Sequence, residues 1–343
     1  MAPAGAPAAG RHENLTMTVA VPYTRGLHDL TNGHYAYLQP DGSWGLSNAG
    51  LVTDAGQSLL VDTLFDLRLT AQMLDAMRQA TRAAASIGAL VNSHSNGDHT
   101  FGNRLLGGAR IVASRQCAEE MVGVGPDRLT AMMRGARDGA LGLTGTYLER
   151  IFGRFDFAGI DQYVLPTETF DGSLELRVGE KLVRIVEVGP AHTAGDVIVH
   201  VPADRVVYTG DILFIGIHPV VWAGPVANWV RALDLVLDLD AEVIVPGHGP
   251  IPTRQQVIDL RAYWEHLLRE CRSRLAAGEP VAEAALDLAT GPYADWGEAE
   301  RLIINVQKIY GELSGQPVQP TTPTDWFRTM AEFDRTLRAP PSE

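Results

Sequence analysis

The sequence predicts an α/β fold that ends in an all-helical extension. Strand-like and helix-like segments alternate as far as Pro250, and polar, glycine-bearing loops follow several of the strands. After Pro250 the pattern is helical only. The chain has 343 residues, of which 45% are hydrophobic and 20% charged, so it can bury one large core or two smaller ones. We therefore expect a soluble globular protein.

The first part of the chain predicts a meander of strands followed by a helix and a buried strand. Three short β-rich segments are separated by Gly, Asp and Pro turn signals, and they span 34–39, 46–53 and 58–62. The segment 67–82 carries apolar residues at helical spacing, and the apolar run at 87–91 predicts a buried strand. The loop NSHSNGDH at 92–99 therefore leaves the carboxyl end of a strand.

The remaining chain divides into a second strand-rich region and a helical end. A less regular helical pattern at about 114–153 indicates an insertion that could cover a site, and strands return between 174 and 208. A helix at 226–239 and a strand at 242–245 follow. We predict three regions: a disordered tail at 1–20, a catalytic domain at 21–253 and a C-terminal helical extension at 254–343.

The last predicted helix has a strongly apolar face. In DWFRTMAEFDRTL, residues Trp326, Met330, Phe333 and Leu337 fall on one side. Such a face must pack either on the body of the same chain or on a neighbouring subunit. A homodimer through the C-terminal helices is therefore one prediction.

Charge and hydropathy exclude several kinds of partner. The formal net charge of -13 opposes binding to nucleic acid or to an anionic membrane surface, because both reward clustered Lys and Arg. No stretch of about eighteen apolar residues predicts a spanning helix. The N-terminal MAPAGAPAAGRHEN lacks the apolar region of a secretory signal, so we expect a cytoplasmic protein.

Short polar loops that follow apolar strands carry the residues with metal-binding chemistry. HSNGDH holds His94, Asp98 and His99, and three later loops, AHTAGD, TGDILF and PGHGP, hold His192, Asp211 and His248. Neutral imidazole and carboxylate are the ligands that zinc accepts at about 2.0 to 2.2 Å. One such loop would more often be a turn, but four in this order predict a metal site.

The series HSNGDH, AHTAGD, TGDILF and PGHGP resembles the metallo-β-lactamase-fold hydrolase superfamily and, within it, the glyoxalase-II-like branch. The family pattern is His-x-His-x-Asp-His followed by a His, an Asp and a His, and the resemblance covers roughly 35–250. It implies a four-layer αββα sandwich with metals at the edge where the two sheets meet. Asp211 favours the glyoxalase-like side, because β-lactamases tend to have Cys or Ser at that position.

The resemblance also implies two metal sites. The first would comprise His94, the residue at position 96 and His192. The second would comprise Asp98, His99 and His248, with Asp211 bridging both sites.

Position 96 departs from the family pattern, because Asn stands where a His is expected. Asn offers only a neutral amide oxygen, which is a poor zinc ligand beside imidazole. We therefore expect one tightly held zinc in the Asp98, His99, Asp211 and His248 site, with the first site weak or empty and with Fe or Mn as other possible metals. Two other interpretations are a second zinc held weakly by Asn96 and a site too damaged for catalysis.

These residues predict a hydrolase that cleaves a small ester, thioester, lactone or amide by metal-bound hydroxide. Asp98, His94 and His192 are the candidate catalytic residues, with Asp98 orienting water and the two imidazoles moving protons. One alternative resembles the iron-dependent persulfide dioxygenases, whose two His and one Asp would map to His94, His192 and Asp211. Other non-hydrolytic chemistry and a non-catalytic metal-binding protein are further alternatives on the same fold.

Four residues are candidates for contact with a small-molecule substrate. His218, Trp222 and Asn228 lie in IGIHPVVWAGPVANW, which follows Asp211 and should run along the site. Trp44 lies in the QPDGSWG turn and is predicted to overhang the site as a lid residue. A capping or packing role is the alternative for these residues.

Overall fold

Two β-sheets lie face to face, and helices cover both outer surfaces. The computed structural model of the protein describes residues 21–316 and 322–339, so the predicted tail at 1–20 lies outside the described residues. The predicted αββα sandwich with C-terminal helices is confirmed.

The first sheet contains seven strands in the spatial order β1 to β7. They are β1 (Gly26–Asp29), β2 (His34–Leu38), β3 (Ala49–Asp54), β4 (Gln57–Val61), β5 (Ala89–Val91), β6 (Arg110–Ser114) and β7 (Glu168–Phe170). Pairing is antiparallel from β1 to β4 and parallel from β4 to β7. Because β4 and β5 are parallel, their carboxyl ends lie at the same edge of the sheet.

The second sheet contains five strands in the order β12-β11-β10-β9-β8. They are β8 (Ser173–Val178), β9 (Lys181–Glu187), β10 (Val197–Val201), β11 (Val206–Tyr208) and β12 (Val243–Val245). Only the β11–β12 pair is parallel, and the other pairs are antiparallel. Strands β9, β11 and β12 therefore run in one direction and end at one edge.

Helices surround the sheets and form the C-terminal part of the chain. They are α1 (Leu67–Ala80), α2 (Gly97–Thr100), α3 (Arg115–Gly123), α4 (Pro126–Arg137), α5 (Gly142–Phe152), α6 (Val226–Asp238), α7 (Arg254–Ala276), α8 (Val281–Leu288), α9 (Leu302–Ser314) and α10 (Pro323–Arg338). In the described part of the chain, none of these helices is long and apolar enough to cross a membrane.

Alternating side chains of the strands build two hydrophobic layers. In β3, Leu51 packs with the helix-covered layer, whereas Val52 packs in the layer between the sheets. In β4, Leu60 packs in the helix-covered layer, and Leu59 packs in the layer between the sheets. Successive residues of a strand point to opposite faces, so a strand that is apolar on both faces is buried between two layers. Each such side chain contributes about 1.5 to 3 kcal/mol when it is fully buried.

Helix α1 shows how local sequence fixes the outer layer. Asp66 caps its first turn, with Oδ1 accepting a hydrogen bond from the Leu69 amide at 2.7 Å. Leu69, Met73 and Met77 recur at helical spacing and are buried, so the helix packs one apolar face on the core of the protein. The predicted helix therefore forms, and it ends two residues before the predicted boundary.

Five elements were not predicted from the sequence: β1, β6, β7, α2 and α8. Strands β1 and β7 are only four and three residues long and lack the alternation of apolar and polar residues. Each exists because a neighbouring strand supplies its hydrogen-bonding partners at the edge of the sheet. Pairing across a sheet is a tertiary property, so a short segment gives little sign of it.

The apolar face of α10 is covered within the same chain. Helix α10 contacts α5 and α9, and Met330 and Phe333 are buried there. The ring of Trp326 stacks on Trp222 with centroids 5.0 Å apart, and Phe327 meets Phe152 edge-on at 5.5 Å. The face that suggested a dimer is therefore occupied, and a homodimer through these helices stays a prediction.

Candidate metal centre

Asp211 lies at the centre of a cluster of four imidazoles. Its carboxylate oxygens are 3.1 Å from His99, 3.3 Å from His192, 3.5 Å from His248 and 3.6 Å from His94, measured to Nε2 in each case. These residues follow β5, β9, β11 and β12, whose carboxyl ends face one another where the two sheets meet. The structure therefore brings together the residues that the sequence motifs singled out.

Each imidazole is held from its outer side by a protein oxygen. Nδ1 lies 3.0 Å from Ser93 Oγ for His94, 2.9 Å from Asp62 Oδ2 for His99, 2.7 Å from the Val220 carbonyl for His192 and 2.8 Å from the Gly42 carbonyl for His248. Ser93 gives its own proton to Asp62, so its oxygen accepts from His94. A neutral ring whose Nδ1 donates outward presents a lone pair at Nε2, which is the usual arrangement of metal-binding histidine.

Three inner atoms of the cluster lack hydrogen-bond partners. His94 Nε2, His99 Nε2 and Asp211 Oδ1 are buried and make no hydrogen bond with the described residues. Two groups of side chains place their ligand atoms within 4.8 Å of one another: His94, His99 and Asp211 in one group, and Asp98, His99 and His248 in the other. Orphaned buried donors and acceptors are costly, so this donor set fits a divalent metal ion.

Asp62 is expected to tune metal affinity through His99. Its carboxylate accepts from His99 Nδ1 at 2.9 Å and from the amide and hydroxyl of Ser93, both at 2.6 Å. Asp62→Asn keeps the shape, and Asn tolerates the positive φ of 64° at this position. We expect zinc affinity to fall by about 10- to 100-fold, measured by competition with a chromophoric chelator. An unchanged affinity in the folded variant would show that Asp62 does not orient a ligand.

Burial and charge act in opposite directions on the titratable groups of the cluster. Burial alone would lower the pKa of His248, but Asp211 and Asp98 raise it to about 9. Burial lowers the pKa of His192 to about 4, although Asp211 opposes this shift. Burial alone would raise the pKa of Asp211, but His248, His99 and His94 hold it well below its usual range. Asp211 is thus an ionised carboxylate at the centre of the cluster.

Asn96 points into the cluster and does not cap a helix. It is the residue before α2 and has an extended backbone, which is the N-cap position where Asn is common. Its side chain makes no capping hydrogen bond, and its Oδ1 lies 2.8 Å from His192 Nε2. The direction of its side chain therefore excludes a capping role for Asn96.

The contact between Asn96 and His192 joins two acceptors. Nδ1 of His192 donates to the Val220 carbonyl, so Nε2 of the neutral ring carries a lone pair. The amide oxygen of Asn96 also has only lone pairs to offer. Two such atoms are stabilised by a cation between them, or by rotation of the amide so that its NH2 group donates. Asn96 therefore occupies the place of a ligand but offers a neutral oxygen.

Two glycines allow the loops to approach Asp211. A Cβ on Gly247 would clash with Asp211 Oδ1, and a Cβ on Gly210 would clash with the side chain of Ser93. Gly210 also has a φ of +50°, which residues with a Cβ rarely adopt. The glycines of TGDILF and PGHGP are thus required by close approach at the centre of the site.

The stretch of chain that carries the cluster matches one family of proteins. The family model of the metallo-beta-lactamase superfamily matches residues 42–248, which is more than half of the chain and includes all seven residues of the predicted ligand set. The chain belongs to the metallo-beta-lactamase superfamily. The predicted superfamily is confirmed, and the placement in a glyoxalase-II-like branch stays a prediction.

Two alkylsulfatases are similar to this chain over part of their length. A linear primary-alkylsulfatase from Pseudomonas sp. (strain ATCC 19151) is 28% identical over 126 residues, which cover 34% of this chain and 22% of that protein. The structure of the inverting sec-alkylsulfatase Pisa1 from Pseudomonas sp. aligns with a TM-score of 0.61 and 18% identity, over 86% of this chain and 51% of that chain. This chain therefore spans about half or less of the alkylsulfatases that it matches.

A shorter member of the superfamily is matched over almost its whole length. The metallo-beta-lactamase from Pontibacter korlensis aligns with a TM-score of 0.52 and 16% identity, over 71% of this chain and 99% of that chain. Identities this low show the fold alone. The relatives named here are hydrolases, so the chain has the fold of a family of hydrolases.

A cavity of about 650 Å³ opens over the metal centre. Its floor includes Asn96, Asp98, His192, Asp211 and His248, and its walls are mainly apolar. The walls come from the loops before β3, α1 and α6, from the C-terminal end of α2, and from α3, α4, α5 and α10. They include Trp44, Phe65, Phe101, Leu129, Met132, Phe152, Trp222, Trp326 and Phe327. A cavity of this size and composition suits a small molecule with an apolar part.

The four predicted substrate residues divide into two pairs. Trp44 and Trp222 line the cavity, and Trp44 is buried rather than overhanging it. His218 and Asn228 are not among the residues that line it. His218 Nδ1 lies 3.1 Å from the Tyr263 hydroxyl, and the Asn228 amide donates to the Val188 and Pro190 carbonyls. Both of these side chains therefore make contacts within the protein, as the alternative interpretation expected, and their contact with substrate stays a prediction.

Sequence reasoning missed several residues of the site. Asp62 ends the apolar segment SLLVD, so its position at the end of a strand is the same signal that identified the other loops. Ser93 is adjacent to His94 and gives no signal of its own. Arg301 and the aromatic residues of α5 and α10 lie far from the motifs, and no local pattern identifies them as part of the site.

Proposed function

We propose that this protein is a zinc-dependent hydrolase that cleaves an ester, thioester, lactone or amide bond in a small molecule with an apolar part. One observation carries the proposal. Four imidazoles are oriented by protein oxygens at Nδ1 so that their Nε2 atoms converge on the ionised Asp211. This is the donor set and the outer support that a catalytic zinc site requires.

The tighter metal site is proposed to comprise Asp98, His99, Asp211 and His248. His248 Nε2 lies 3.4 Å from Asp98 and 3.5 Å from Asp211, so these three side chains face a common point. His94, Asn96 and His192 would form the weaker site because Asn96 contributes no imidazole. When bound, zinc lowers the pKa of a coordinated water to about 7 and so supplies the nucleophile at neutral pH.

Two residues of the cavity floor, His192 and Asp98, are proposed to act on protons and on the attacking water. Nδ1 of His192 is occupied by the Val220 carbonyl, so only its Nε2 can exchange a proton in the cavity. Asp98 has 14% of its side chain exposed, against 4% for Asp211 and 3% for His248, so it is the most open of these three groups. We assign Asp98 to hold the metal and to orient the attacking water, and we assign His192 to take a proton from that water at Nε2 and to pass it to the leaving group.

The apolar walls of the cavity are expected to make the enzyme prefer longer acyl chains. Each CH2 group that the walls bury is worth about 0.8 kcal/mol, or roughly fourfold in affinity. Initial rates with 4-nitrophenyl acetate, butyrate, octanoate and decanoate would show kcat/KM rising with chain length until the cavity is full. A chelator-treated sample, assayed before and after zinc is restored, is the control. Absence of nitrophenol release from every ester by fully zinc-loaded protein would contradict the proposed hydrolysis of esters.

Hydrolysis of an alkyl sulfate ester is a second candidate. It is supported by the 28% identity to a linear primary-alkylsulfatase, together with an apolar cavity that suits an alkyl chain. Release of sulfate from decyl sulfate, compared with release of nitrophenol from 4-nitrophenyl decanoate, distinguishes the two reactions. A much larger kcat/KM for decyl sulfate would favour the sulfatase.

A further inference from the structure

Arg301 is a buried cation in the wall of the cavity, and one of its donors is unused. Its side chain is about 2% exposed, and the residue lines the cavity above the metal centre. Its Nε is buried and has no hydrogen-bond partner in the part of the chain that the structure describes. A guanidinium group has five N–H donors and no acceptor, and a buried charge is costly unless it is paired.

The contacts of Arg301 with the described residues leave most of its N–H donors without an acceptor. Nη1 donates to the His218 carbonyl at 2.9 Å. Nη2 is 3.9 Å from Glu298, which is too long for a hydrogen bond. Nearby Glu300 has its Oε1 engaged by Trp44 Nε1 at 3.0 Å and by the Tyr147 hydroxyl at 2.9 Å. The two glutamates offset the charge of Arg301 without making hydrogen bonds to it among the described residues.

A purely structural role explains only part of this arrangement. The guanidinium carbon lies 4.1 Å from the centre of the Trp44 ring, so Arg301 helps to hold that wall of the cavity. Stacking and one bond to a carbonyl would not require a charged group with five donors. A planar fork of donors in a cavity wall is the arrangement that recognises carboxylate and sulfate groups.

Arg301 and the metal centre share one aromatic neighbour, Phe214. Its guanidinium carbon is 5.6 Å from the centre of the Phe214 ring. Phe214 also stacks on His248, with ring centroids 5.1 Å apart and planes within 2°. The Phe214 ring therefore lies next to both the guanidinium group and the proposed metal ligand His248. The apolar walls belong to the same cavity.

We infer that Arg301 binds the anionic group of the substrate, so that the substrate is an amphiphile with a carboxylate or sulfate group and an apolar chain. This inference rests on the proposed function, because it takes the cavity over the metal centre to be the substrate site. It adds the charge of the substrate and the residue that selects it. The chain would lie along the aromatic wall, and the anion would lie at the guanidinium group.

Binding of matched ligands to the zinc-loaded protein tests this inference. Decane-1-sulfonate and decanoate carry the two candidate anions, and decan-1-ol is the neutral control with the same chain. None of the three has a bond that a hydrolase would cleave, so affinity is measured by titration calorimetry without turnover. The variants are Arg301→Met and, as a matched control, Arg128→Met, because Arg128 is a second cation that lines the cavity but is exposed.

Arg301→Met is expected to weaken binding of at least one anion by about tenfold to a hundredfold and to leave decan-1-ol unchanged. Arg128→Met is expected to change the three affinities by much less. The anion that loses more affinity identifies the chemical group. Equal losses for the three ligands, or no loss for either anion, would overturn the inference. If the Met variant does not fold, Arg301→Lys tests the same point, because an ammonium group lacks the planar fork of donors and should also weaken anion binding selectively.

These outcomes are independent of ester hydrolysis. Selective loss of anion binding in a protein that hydrolyses no ester would contradict the proposed function and support the role of Arg301. Hydrolysis of esters by a protein whose anion binding does not depend on Arg301 would support the proposed function and overturn the inference.

Discussion

Asn96→His is expected to raise the zinc content of the purified protein from about one ion per chain to about two. The substituted imidazole would supply a third nitrogen ligand beside His94 and His192, because the Asn96 side chain already points at His192 from 2.8 Å. Three imidazoles are a strong zinc site, whereas two imidazoles and a neutral amide oxygen are a weak one. Elemental analysis of protein purified without added metal measures the difference.

Asn96→Ala is the matched control for this substitution. It removes the amide oxygen without adding a ligand, so the Asp98, His99, Asp211 and His248 site should keep its single zinc. Two zinc ions per chain in the native protein would contradict the expectation and would show that the Asn96 oxygen is a sufficient ligand. A two-metal hydrolytic mechanism would then replace the single-metal one.

Asp211→Asn is expected to have the largest effect of any single substitution in the site. The change is nearly isosteric, but it removes the only carboxylate among the described residues that lies within 3.6 Å of all four imidazoles. We expect zinc to be lost during dialysis and kcat/KM for the best 4-nitrophenyl ester to fall by a factor on the order of 10³ or more. Zinc analysis and initial rates on the same samples measure both effects.

Asp204→Asn separates the loss of a metal ligand from the loss of a buried carboxylate. Asp204 is a mostly buried carboxylate that lies 2.7 Å from His34 and 2.8 Å from Lys181, and it takes no part in the metal cluster. Its substitution should lower the free energy of unfolding by about 1 to 3 kcal/mol and leave the zinc content unchanged. Retention of both zinc and activity in Asp211→Asn would show that this cluster is not the reaction centre.

The cluster was predictable from the sequence because each of its loops follows an apolar strand. His94, His192, Asp211 and His248 each stand in a short loop with glycine, and the carboxyl ends of the strands bring those loops to one edge. Asp98 and His99 lie on the short helix α2, which replaces part of the predicted loop. Local sequence and sheet direction together were therefore enough to assemble these residues.

The cavity was not predictable in the same way. Trp44, Phe152 and Phe327 meet over the site, although they come from distant parts of the chain. His218 and Asn228 are near Trp222 in sequence, but their side chains turn to Tyr263 and to backbone carbonyls. Which side of a loop faces a cavity depends on the packing of other elements, so neighbours in sequence need not share a site.

Part of the cavity wall lies outside the stretch of chain that carries the proposed metal ligands. All seven residues of the proposed ligand set lie within 42–248, the part that matches the superfamily, whereas Arg301 and the residues at 322–327 lie beyond it. A change in the last helix would therefore alter what enters the cavity without moving a ligand. In such an architecture, the range of substrates can change when a C-terminal segment is exchanged, while the proposed metal ligands and catalytic residues stay the same.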